Sequence, residues 1–270
     1  MRLLKQLLAV GAVGLVGGQA VVAAEWDTVL TLVIGMATAV LSLVVYAWVV
    51  RRTEKRAPEE VSRRGAVAAT VRGLLIGFGM FAAVIANIAL LGHYRIDGFG
   101  SAAGPVALLG FMAGAAVTEE VIFRGVLFRV LEERLGTWAS LLVTAPLFGL
   151  WHLSAGVWGS VAVALSAGGL LAAVYAATRN LWVPIGLHFA WNYAGAGVFG
   201  TDVSGQSAPE GLLDGVTSGP TLVSGGEFGP EASMYAVGFG LMLTVVFLWL
   251  AHRRGRMVPL RNRATTPAHT

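Results

Sequence analysis

Cysteine is absent from the 270 residues. This excludes disulfides, thiolate nucleophiles and zinc sites built on cysteine. Charge is scarce too: 13% of residues are charged, against about 25% in an ordinary soluble domain. There is no His-Glu-x-x-His, so the common zinc-protease motif is missing, and no internal repeat is evident. The net charge of +4 is modest, and the basic residues cluster at segment ends. They form no basic face of the kind nucleic-acid binding needs. What remains is apolar, with 56% hydrophobic residues and a mean hydropathy of +0.72. That composition implies a polytopic membrane protein of one domain.

The apolar residues fall into runs near the length of about 20 residues that a spanning helix needs. Residues 1–24 carry Arg2 and Lys5 before an apolar stretch, a pattern shared by a signal peptide and a first membrane helix. Further helices are expected over 28–50, 73–92 and 98–118, with His93, Arg95 and Asp97 marking a short exposed connection. No Asp, Glu, Lys or Arg occurs from Gly136 to Thr178. This is too long for one crossing, and Ser154-Ala155-Gly156 supplies a break between helices over 137–153 and 157–178. Helices over 182–198 and 232–251 complete an all-α transmembrane bundle of about eight membrane helices around a polar cavity. Pro184 fits the first turn of its helix.

Residues 199–231 are rich in Gly, Ser and Pro and read as a loop. Accessory helices then occupy 25–100, a core 101–200, an extracytoplasmic loop 201–231, a last helix 232–252 and a basic, disordered tail 253–270. The basic residues at 51–64, 129–134, 179 and 253–263 all fall on one side of this map, and the acidic 199–231 loop falls on the other. The positive-inside rule then puts both termini in the cytoplasm of an integral cell-membrane protein.

Within these runs a few side chains are polar where polarity is expensive. Glu119-Glu120-Val121-Ile122-Phe123-Arg124 places Glu120 and Arg124 at i and i+4, on one helix face, able to pair. Glu119 is rotated by about 100° and left unpaired. Taken alone, the motif reads more readily as an interfacial charge cluster, as Arg129 to Arg134 is. Phe148-Gly149-Leu150-Trp151-His152 and His188-Phe189-Ala190-Trp191-Asn192 repeat the i, i+4 spacing. His188 and Asn192 share a face, whereas Phe189 and Trp191 read as packing.

Together the three motifs offer a carboxylate, two imidazoles and a carboxamide, provided their helices pack around one cavity. That inventory suits hydrolysis. Glu119 would be a general base towards water, His152 a water-binding or acid group, and His188 with Asn192 an oxyanion site. Glu120 and Arg124 would support them structurally. The same Glu119, His152 and His188 also make a catalytic zinc set. The metal-free mechanism uses more of the residues, since Asn192 is a poor zinc ligand, and needs no cofactor.

The motifs EEVIFR, FGLWH and HFAWN, in that order, resemble those of the CPBP family. This family contains the type II CAAX prenyl endopeptidases and Abi-type intramembrane proteases. The resemblance spans roughly residues 100–200 and implies an all-helical intramembrane endopeptidase. Its substrate would be a membrane-embedded or membrane-anchored protein or peptide in the lipid bilayer. It assigns water activation to Glu119, the motif imidazoles to His152 and His188, and the oxyanion partner to Asn192. The family has been described both as metal-dependent and as glutamate-dependent. A non-catalytic immunity or scaffold protein, and a transporter with a buried proton relay, are the competing classes. The map also poses a difficulty of depth: Glu119 falls near the inner end of one helix and His152 near the outer end of the next, unless the Glu119 helix continues through Arg134 with Glu119 near its middle or the His152 helix is tilted or short.

Overall fold

The computed structural model describes residues 1–153, 156–206 and 209–260. Of the described residues 77% are helical, as the apolar runs demand. A backbone crossing lipid must satisfy its own N–H and C=O groups, and a helix does so within one segment. The elements are α1 (Arg2–Ala23), α2 (Thr28–Glu54), α3 (Ala66–Leu90), β1 (Tyr94–Phe99), α4 (Ala103–Glu120), α5 (Arg129–Trp151), α6 (Val157–Val163), α7 (Gly169–Thr178), α8 (Trp182–Asn192), β2 (Leu213–Thr217), the short α9 (Thr221–Ser224) and α10 (Met234–Arg253). Three π-helical stretches are spliced between them without interrupting the run: Val121–Phe128, Ala164–Gly168 and Tyr193–Val198. Among the described residues, six helical runs are long and apolar enough to cross a membrane, one of them the two-part Ala103–Trp151.

The helix ends have local causes. Asp27 caps α2 by accepting from the Leu30 N–H at 2.9 Å, and Ser233 caps α10 through the Ala236 N–H at 3.2 Å. Within α5, Gly136 adopts φ 76 and ψ 171, a backbone open to glycine and strained for other residues. The chain reverses there, and α5 is two helices joined at that residue. Phe123 and Phe148 then meet edge to face across the hairpin, with ring centres 5.0 Å apart.

Several expectations are corrected. The helix expected over 98–118 starts at residue 103 and continues through the π stretch to Gly136. The connection marked by His93, Arg95 and Asp97 contains β1, which pairs antiparallel with β2 from the 199–231 segment. That segment is therefore a folded cap containing α9 and 3-10 turns at Gly226–Phe228 and Pro230–Ala232. The tail is ordered as far as residue 260: Thr137 N–H donates to Val258 O at 2.9 Å, and Arg254 donates to Ala177 O at 3.0 Å. The rest of the tail, and Ser154 and Ala155 of the expected break, lie outside the described residues. Gly156 has φ 109.

One end of the bundle gathers the ionic groups. Arg129 pairs with Glu54 at 2.6 Å and with Glu60 at 3.2 Å. It also donates to Gln6 at 3.3 Å, which is fully buried. Arg2 pairs with Glu133, and Arg179 with Glu132. Residues 1–24 are thus tied into the bundle by α1's own polar side chains. The β1–β2 ribbon and the cap lie at the opposite end.

Glycines set the closest helix contacts, as in many membrane bundles. A Cβ on Gly35 of α2 would lie 2.1 Å from the Gly110 carbonyl of α4, and one on Gly77 of α3 would lie 2.2 Å from Leu187 O of α8. The second contact seats α8, which carries two site residues. Gly77→Ala is expected to cost about 1–3 kcal/mol through overpacking. Gly79→Ala on the same helix, where nothing lies within 4 Å, is expected to leave stability unchanged. Thermal unfolding in detergent micelles distinguishes the two.

Candidate functional site

The hairpin at Gly136 removes the difficulty of depth. Glu119 and His152 lie on opposite arms, each roughly 25 Å from the turn at about 1.5 Å per residue. They reach the same level because the first arm continues past Glu119 to residue 135, one of the two resolutions open to the sequence. Glu119 then sits near the middle of a continuous helix from residue 103 to residue 135, and α8 delivers His188 to the same place.

Glu120 anchors the site. Its Oε1 accepts from the Arg124 guanidinium at 2.7 Å and is 2.8 Å from His188 Nδ1. Glu120 is fully buried, and Arg124 and His188 are nearly so. A carboxylate that already accepts from Arg124 offers no proton, so His188 Nδ1 must carry one. His188 Nε2 is thereby turned towards Glu119, 3.8 Å from Oε2. The expected division holds in the geometry: Glu120 is paired with Arg124, and the Glu119 Oε2 atom is buried without a hydrogen-bond partner among the described residues. The second oxygen of Glu120 is likewise unpartnered.

Phe148 explains the spacing of the second motif. Its carbonyl lies 2.9 Å from His152 Nδ1. A carbonyl only accepts, so His152 also carries its proton on Nδ1 and presents Nε2 to the cavity. The Phe148 ring lies under the Arg124 guanidinium, 4.5 Å from its centre. Its centre is also 5.0 Å from His152 and 5.9 Å from His188. One aromatic side chain thus separates and orients two imidazoles and a guanidinium.

The π-helical stretches have a visible use. A π turn displaces a backbone carbonyl from its regular helical partner and often occurs at functional sites. In each stretch a carbonyl accepts a side-chain donor. Gly168 O accepts from Arg124 at 3.3 Å, Gly125 O from Tyr46 at 3.1 Å and Arg129 at 2.8 Å, and Gly195 O from Thr201 at 3.2 Å.

The site residues line three cavities, the largest of which, about 330 Å³, is bordered by Glu119 beside α1 and α2. A second, of about 120 Å³, holds Glu119, His152 and Asn192, walled by Trp26, Phe111 and Trp151. The third, of about 30 Å³, holds His152, His188 and Asn192 against Phe148, Leu170 and Leu171. His152, Asn192 and Ser204 border both of these. Even the smallest one has room for a water molecule. Glu119 and His188 face each other across the site while lining different cavities. Sequence reasoning missed Ser204 and Glu231, which border the smallest cavity from the cap. Their only sequence signal is a Glu among the Gly, Ser and Pro of the cap, and it reads as solvated.

Among the described residues no three His, Asp or Glu side chains are gathered to hold an ion. His188 is held by Glu120 and His152 by the Phe148 carbonyl, each through Nδ1, which leaves both Nε2 atoms free.

The fold and the site define a polytopic helical membrane protein with a carboxylate–imidazole centre in its interior. Residues 101–194 match the family described as type II CAAX prenyl endopeptidase Rce1-like. The match supports a membrane protease acting on a membrane-embedded protein or peptide, and it includes all three motifs. No curated protein and no solved structure shows a comparable match.

Breaking the anchor should be costly. Arg124→Ala leaves Glu120 buried without its cation and is expected to destabilise the fold by about 3–5 kcal/mol. Arg95→Ala, which breaks an exposed pair with Asp97, is expected to leave it unchanged. Denaturant unfolding in micelles measures both.

Proposed function

We propose that the protein is an intramembrane endopeptidase in which Glu119 activates water without a metal ion. The observation that carries this reading is the unpartnered Glu119 carboxylate oxygen. It faces His188 Nε2 at 3.8 Å and lines one cavity with His152 and Asn192. A water at about 2.8 Å from both Glu119 and His188 Nε2 would donate one hydrogen to each. As its oxygen attacks the scissile carbonyl, Glu119 takes the proton. The developing oxyanion is met by the Asn192 amide N–H. His152, with Nδ1 fixed by the Phe148 carbonyl, receives and passes on a proton through Nε2. Collapse of the tetrahedral intermediate breaks the C–N bond, and the proton held by Glu119 or His152 goes to the leaving amine.

Glu120 and Arg124 take no proton in this scheme. They hold the His188 ring in one tautomer and one orientation. The apolar walls exclude bulk water and strengthen each of these interactions. The arrangement of ionic residues at one end of the bundle favours an orientation with both termini in the cytoplasm and the cap outside.

Glu119→Gln is expected to lower kcat at least about a hundredfold on a farnesylated peptide ending in a CAAX sequence, with accumulation and unfolding temperature retained, because Glu119 holds no structural hydrogen bond. Full activity in Glu119→Gln overturns the general base. If this peptide is not cleaved, comparing membrane proteins between strains carrying the parent protein and Glu119→Gln identifies the substrate by its unprocessed form.

A further inference from the structure

Glu231 is a buried carboxylate that the chemistry above does not use. It lies outside the family match, in the Pro230–Ala232 turn of the cap, and is 4% exposed. Both its oxygens are occupied. Oε1 accepts from the Ser204 backbone N–H at 2.6 Å and from the Ser204 hydroxyl at 2.7 Å. Oε2 accepts from the Trp191 indole N–H at 3.0 Å. All three donors are neutral, so the carboxylate surrenders its hydration for hydrogen bonds weaker than an ion pair would give.

The two residues it grips are placed for consequence. Ser204 has φ 53, the left-handed region that costs a non-glycine residue about 1 kcal/mol or more. It borders the two smaller cavities beside His152 and Asn192. Trp191 immediately precedes Asn192 and packs edge-on against Phe81, with ring centres 4.9 Å apart. The two ends of the cap are stitched at the same point. Gly205 N–H donates to Phe228 O at 2.9 Å, and Trp158 donates to Ala232 O at 3.0 Å.

We propose that Glu231 is a positioning residue: its carboxylate clamps Ser204 to Trp191, so that the cap roofs the catalytic cavity and Asn192 is held at the height of the oxyanion. The kinetic part of this proposal rests on the endopeptidase reading. The roof does not.

The absence of cysteine supplies the test. Ser166 lines the smallest cavity, and Ser166→Cys gives one thiol beneath the roof. In detergent micelles a charged maleimide is expected to modify it about tenfold faster when Glu231→Gln is added, because the roof opens more often. The Glu231→Asp rate should fall between the two. Equal rates in the parent and Glu231→Gln backgrounds overturn the roof. If Glu231→Gln fails to accumulate, Trp191→Phe removes one bond of the clamp and keeps the ring. It should speed labelling several-fold, and an unchanged rate overturns the proposal equally.

On the farnesylated peptide, Glu231→Gln is expected to lower kcat about tenfold to a hundredfold through misplacement of Asn192, with KM nearly unchanged and partial rescue by Glu231→Asp. A rise in KM alone overturns the positioning role. Failure of the endopeptidase reading shows separately, as a fully active Glu119→Gln, and leaves the labelling result to judge the roof.

Discussion

The shared Glu120 carboxylate is the interaction on which the rest of the site depends. One oxygen takes Arg124 from its own helix and His188 from α8, so two helices are joined through a charge that neither could bury alone. In an apolar interior the cost of removing one partner exceeds the gain from having the pair, because an unpaired charge remains. The site is therefore cooperative. Arg124 neutralises Glu120 and rests on Phe148, and Phe148 fixes His152 through its carbonyl. The two imidazoles of the site are each held by a group that takes no part in the chemistry, His188 by Glu120 and His152 by the Phe148 carbonyl.

The backbone makes room for this arrangement in two ways. The reversal at Gly136 turns one long apolar run into a hairpin whose arms carry Glu119 and His152 to the same depth. The π stretches then offer carbonyls that a regular helix would have consumed. Arg124, Tyr46, Arg129 and Thr201 use them. Polar side chains in the bundle are thus satisfied partly by irregular backbone, which a membrane interior tolerates only where protein surrounds it.

The cap was the least legible part of the sequence. Its Gly, Ser and Pro content describes a loop, and its acidic residues describe solvated ones. Glu231 carries the same letter as Glu210 or Glu227, and no periodicity distinguishes it. Its burial arises from contacts with Trp191 and Ser204, 40 and 27 residues away, and such pairings leave no local trace. The β1–β2 ribbon escaped for the same reason, since both strands are short and only their mutual register makes them strands.

The sequence by itself determined the membrane class, the helical segments and the polar residues within them. Composition and i, i+4 spacing are local properties, and lipid allows few alternatives to a helix. It also paired Glu120 with Arg124, because that contact lies within one helix. The tertiary structure decided what Glu120 does beyond that pair, through His188. It decided the level at which Glu119 meets His152, through a single glycine with a left-handed backbone. It also decided that the cap belongs to the site. These are relations between segments, and they depend on turn geometry and packing, neither of which a hydrophobic pattern encodes.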